Sequence, residues 1–130
     1  MKYLICFILL SANLLLALSE NDINLIKEKE LWDLAKQNQK ELLKVTVSKP
    51  DSDTAWDILE EITRLQNDSL ALLDLYKKRA VAQTSMKYSI LALNLCRELK
   101  PDKTNQLKDN LFKLFKLKKN KEVLEYYANP

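Results

Sequence analysis

Not one of the 130 residues is glycine, where ordinary usage near 7% would supply roughly nine. Glycine takes positive φ without steric cost, so it normally fills tight turns and helix ends. Its absence argues against two-residue hairpins, which need positive φ. It also removes the phosphate-cradling loop, the dinucleotide fingerprint and the nucleophile elbow. Histidine is absent as well. Without it there is no ordinary Ser-His or Cys-His nucleophile pair and no usual zinc site. A chain built this way is expected to be all-α, with helices ending on residues such as Asn or Lys. No cofactor is expected, and no enzyme.

The N-terminus reads as an address. Met1-Lys2-Tyr3 is a short basic start, and Leu4 to Leu18 is apolar except for Ser11 and Asn13. Ala17-Leu18-Ser19 then places small residues where a signal peptidase reads them, and Glu20, Asn21 and Asp22 follow. A basic n-region, an apolar h-region and such a cleavage site make a secretory signal peptide, residues 1–19, cleaved after Ser19. The apolar run of about 15 residues is short of the roughly 20 that span a bilayer. The expected location is secreted or periplasmic, with residues 20–130 as a single helical domain. Cys6 leaves with the leader, so Cys96 is the one mature cysteine and no internal disulfide can form. Its place on an apolar helix face fits a buried thiol, with an intermolecular bridge to a second copy as the other reading.

Pro50 and Pro101 divide the remainder into three helical blocks. The first spans about 24–45, with Asn21 or Asp22 as cap and Leu25, Leu31, Trp32, Ala35, Leu42 and Leu43 on one face. Thr54-x-x-Asp57 has the form of a capping box opening the second block. Ala55, Ile58, Ile62, Leu65, Leu72, Leu73, Tyr76 and Ala80 fall within about 100° of a helical wheel. Asp57, Glu60, Glu61, Arg64, Asp68, Asp74, Lys78 and Arg79 fall opposite. That phase predicts one long helix over 55–80, running through Asn67-Asp68-Ser69. A helix capped by Thr84 or Ser85 and reaching Leu99 is apolar nearly all round, which marks a buried helix or an interface with a second copy. After Pro101 comes a helix striped by Leu107, Leu111, Leu114 and Phe115, ending near Asn120. A short last helix over 121–127 completes the expected bundle of four main helices plus a fifth.

Charge is unevenly placed. Residues 20–74 hold 13 acidic and seven basic side chains; residues 75–121 hold three acidic and 13 basic. In a bundle the two halves can face each other, or the basic half can steer a partner. The densest basic feature is Lys113, Lys116, Lys118, Lys119 and Lys121 beside Leu111, Phe112, Leu114, Phe115 and Leu117. It reads as a solvated face over a packed apolar side, or as a basic amphipathic helix on an anionic membrane. Nucleic acid is not an expected partner, since the chain has three Arg and no recognition motif. Trp56 lies off its helix's apolar arc, so it either packs under a neighbouring helix or anchors a surface, as Tyr126 and Tyr127 could. Asp57, Glu60 and Glu61 are the one tight carboxylate cluster, but on a charged face they lack the cleft that acid–base chemistry needs. Asn67-Asp68-Ser69 is a formal glycosylation sequon.

No motif assigns a family. In type and address the chain is similar to bacterial immunity proteins, small exported helical proteins that neutralise toxins, and the likeness assigns no residue. The expected role is a protein-binding module of inhibitor or immunity type, with peripheral membrane binding as the alternative.

Overall fold

The computed structural model describes residues 18–117. Every regular element among them is helical. The helices are α1 (Glu20–Glu28), α2 (Trp32–Gln37), α3 (Gln39–Ser48), α4 (Asp53–Leu65), α5 (Ser69–Gln83), α6 (Met86–Leu99) and α7 (Thr104–Leu117), with a 3₁₀ turn at Pro101–Lys103. The chain divides into two compact units, one ending at Gln66 and the other beginning at Asn67. The expected signal segment 1–17 and the short helix over 121–127 lie outside the described residues.

Without glycine, three of the described residues occupy the left-handed region: Glu30, Asn67 and Thr84, with φ of 53°, 55° and 48°. Each stands where a helix gives way to the next. They explain why the expected continuous helices are broken. The block expected as one helix over 24–45 is three. Glu30 turns the chain after α1, and its amide bonds the Lys27 carbonyl. Asn38 separates α2 from α3 and satisfies the end of α2 by donating its side-chain amide to the Leu34 carbonyl at 2.9 Å. The helix expected over 55–80 is two. Asn67 leaves the helical region, and the Asp68 carboxylate accepts from the Ala71 amide at 3.0 Å, which is an N-cap. The apolar phase that ran through this joint was coincidental at its seam, for Leu65 is 49% exposed.

In the first unit α4 packs against α1, α2 and α3. Its Ala55, Ile58, Leu59 and Ile62 are buried with Ile23, Ile26, Ala35 and Leu42. Lys27 of α1 reaches Asp57 of α4 at 2.7 Å, and because α4 begins at Asp53, Thr54 stands inside its first turn and is not the N-cap of the expected capping box. The residue before α4 is Ser52, and its side chain makes no cap. Ser19 caps α1 in place of Asn21 or Asp22, in a reciprocal box with Asp22.

In the second unit α6 is the hub, packing against α5, α7 and the 3₁₀ turn. Tyr88, Ala92, Leu93 and Cys96 of α6 meet Leu73, Tyr76 and Ala80 of α5 and Leu107 and Leu111 of α7. The expectation of a nearly all-apolar helix at the centre holds for this unit. Ser85 caps α6, its hydroxyl accepting from the Tyr88 amide.

Candidate functional site

The second unit holds a cavity of about 270 Å³ where α5, the end of α6, the 3₁₀ turn and the start of α7 converge. Leu73, Cys96 and Leu107, all buried, give it an apolar lining. Lys77 of α5, and Lys100 and Lys103 of the Pro101 turn, all exposed, line it as well. Gln106 and Asn110 add two amides from one face of α7. Among the described residues no carboxylate lines the cavity. On α5 the neighbouring Lys78 is held by Asp74 at 2.8 Å. The ammonium groups of Lys77, Lys100 and Lys103 have no ion-pair or hydrogen-bond partner among the described residues.

The cavity is assembled by tertiary structure, and the three lysines are 23 and three positions apart in the chain. No sequence spacing marks them. The one available signal is that Lys100 and Lys103 flank the proline that ends one helix and begins the next, which commits that corner to a cationic turn. Cys96 belongs to the same cavity. It is 3% exposed, and its thiol donates to the Lys100 carbonyl at 3.6 Å. This is the buried reading of the mature cysteine; a thiol so enclosed is not presented for a bridge to a second copy.

Two other expectations are corrected. Trp56 is 3% exposed, and its indole N–H donates to the Pro50 carbonyl at 2.9 Å. It packs in the first unit and anchors no surface. Arg79, placed on the charged face by the helical wheel, is also 3% exposed. Its guanidinium lies 3.9 Å from the centre of the Tyr88 ring, and its Nε donates to Gln83 Oε1 at 3.0 Å. Tyr76 lies beside Tyr88, ring centres 6.1 Å apart. A planar, weakly hydrated guanidinium tolerates such a stacked site where an ammonium would not. The signal for it is the pairing of Arg79 with Gln83 one turn on, against an aromatic two helical residues into α6's first turn.

Of the expected contact residues, Lys113 is exposed on α7. Lys116 belongs to α7 by its backbone. Lys118, Lys119, Lys121, Tyr126 and Tyr127 lie outside the described residues. The carboxylate cluster is drawn into ion pairs: Asp57 with Lys27, and Glu60 with Arg64 at 3.5 Å. Among the described residues, no group of acidic, Cys or His side chains could hold a metal ion, and no helix is long and apolar enough to cross a membrane.

The first unit has a second cavity, about 290 Å³, between Leu18, Ile23 and Val45 and the hydroxyls of Ser48, Ser52 and Thr54. Its Leu18 wall stands just before the expected cleavage point.

Compared with protein-family models, curated proteins and solved structures, the chain matches none.

Proposed function

We propose that the chain is an exported, non-enzymatic binding protein of inhibitor or immunity type, which engages an acidic protein outside the cytoplasm through its basic second unit. The observation that carries this is the opposite net charge of the two compact units. Residues 20–66 hold 11 acidic and seven basic side chains, a net of −4, while residues 67–117 hold five acidic and ten basic, a net of +5. The two units therefore differ in sign, although the acidic run continues to Asp74, into the first helix of the second unit. Each unit therefore carries its own field, and the second attracts anionic surfaces over a Debye length of about 8 Å at physiological salt. The leader-like N-terminus supports export. The lack of His, and of any metal-binding cluster among the described residues, supports a role in binding.

The membrane alternative draws on the same lysines. Within α7, however, Leu107 and Leu111 are spent on the core and are not free to enter a bilayer surface.

Pull-down of the chain from its own extracellular or periplasmic fraction is the first test, and the reading expects one protein partner at near-stoichiometric level. Association should slow tenfold or more when Lys87, Arg97 and Lys113 of the second unit become Glu. It should change little when Lys36 and Lys40 of the first unit do. All five are exposed, so folding is not at stake. Equal effects from the two sets would remove the second unit from the reading. Recovery of anionic vesicles with no protein would replace it with the membrane alternative.

A further inference from the structure

We infer that the cavity between α5, α6 and α7 is a binding site for a small organic anion, a carboxylate or phosphate head on a short apolar body. This goes beyond partner binding and does not depend on it. The lining is divided by chemistry. Leu73, Leu107 and the Cys96 thiol offer apolar contact, while Lys77, Lys100 and Lys103 offer charge and Gln106 and Asn110 offer amide hydrogens. Ligand sites have this composition: a mainly apolar hollow with a few convergent polar groups that fix orientation. The volume of about 270 Å³ is near the lower end of such sites, so the ligand is small.

The charge arrangement identifies the ligand's sign. Three like charges brought to one hollow repel one another, and in a structure built for stability alone a carboxylate would be expected among them. Among the described residues none lines the cavity. Elsewhere Lys27 is matched with Asp57, Lys44 with Glu41, Arg64 with Glu60 and Lys78 with Asp74, while Lys36, Lys40, Lys49, Lys87 and Lys113 have no ion pair among the described residues but stand singly; what sets the cavity apart is three such lysines at one hollow. Lys77, one residue before Lys78, is left toward the cavity without such a partner among the described residues. An anion entering the hollow would supply the missing countercharge, and the low-dielectric wall of Leu73 and Leu107 would strengthen each contact. Without an apolar body, the head alone would leave that wall wet.

Octanoate, ten non-hydrogen atoms with one carboxylate, is the probe. Titration calorimetry of the full chain should show saturable octanoate binding that weakens as salt rises. 1-Octanol, with the same tail and no charge, should bind at least tenfold more weakly, and so should acetate, with the head and no tail. Inorganic phosphate alone should bind like acetate. Each of Lys77→Gln, Lys100→Gln and Lys103→Gln should weaken octanoate about two- to fivefold, and the triple variant on the order of tenfold to a hundredfold. These lysines are exposed, and an unchanged melting temperature will show that the variants fold. Amide shift changes on octanoate addition should centre on residues 73–77, 96–103 and 106–110. Octanol and octanoate of equal affinity, a triple variant that binds as well as the parent, or shift changes centred elsewhere would each overturn the inference. Failure here leaves the protein-partner reading standing, because that reading is tested with Lys87, Arg97 and Lys113.

Discussion

At the residue scale, the strain in this chain is concentrated at three positions. Left-handed backbone costs an ordinary L-residue roughly 1–2 kcal/mol. Asn67 tolerates it best, since its short polar side chain can bond locally. Thr84 is β-branched and Glu30 is long and exposed, so neither is suited to the region by type. Glu30→Gly should therefore stabilise the fold by about 0.5–1 kcal/mol, the relief of strain being partly offset by a more flexible unfolded chain. Urea unfolding reads this directly, and a lower midpoint would show that the Glu30 conformation carries no strain. Thr104 presents a different local conflict. Its hydroxyl is buried at the start of α7 with no hydrogen-bond partner among the described residues. Thr104→Val keeps the shape and removes the orphaned oxygen, so it should be neutral or stabilising by about 1 kcal/mol. A loss of more than that by thermal melting would mean that the hydroxyl is bonded after all. Both substitutions follow from local geometry that the residue types alone do not announce.

At the element scale, α1 raises the question of what the expected cleavage leaves behind. Ser19 caps this helix through its hydroxyl, 3.1 Å from the Asp22 amide, and Asp22 returns a bond to the Ser19 amide at 3.2 Å. Leu18 is buried against the same unit. Cleavage after Ser19 would remove both and place a new ammonium at the positive end of the helix dipole. A chain beginning at Glu20 should then be less stable than one beginning at Leu18 by about 2–4 kcal/mol, combining the lost cap with the lost leucine burial. Calorimetric melting of the two chains checks this. Equal midpoints would show that α1 adds little to the first unit. The helices themselves were partly legible. In α7 Leu107 and Leu111 of the expected stripe are buried on one unbroken helix, whereas α6, apolar on most of its circumference, offered no single stripe. The stripes over 24–45 and 55–80 found buried residues, among them Ala35, Leu42, Ala55, Ile58, Ile62, Leu73, Tyr76 and Ala80, but misled on continuity. Wheel phase assumes continuous α geometry, whereas Glu30, Asn38 and the Asn67-Asp68 cap reset the direction of the chain. After the reset Arg79 turns inward to Tyr88 and Leu65 is left in solvent, each opposite to its place on the wheel.

At the scale of the whole molecule, the sign of charge is the property most exposed to experiment. Capture of an acidic partner by the second unit should slow as ionic strength rises, in step with the charge-reversal variants, because screening and reversal remove the same long-range attraction. The chain's own list of residues accounts for much of this. The absence of glycine and histidine excluded hairpins, phosphate loops and the common catalytic and zinc chemistries, since each depends on a backbone geometry or an imidazole that is not there. The order of charges along the chain set the sign of each half before any folding. Only tertiary structure decided where helices stop, because a left-handed joint is chosen by what the following helix packs against. It alone withdrew Trp56 to the Pro50 carbonyl and enclosed Cys96. It alone brought Lys77 of α5 to one hollow with Lys100 and Lys103 of the Pro101 turn, since these segments become neighbours only when α5, α6 and α7 pack together.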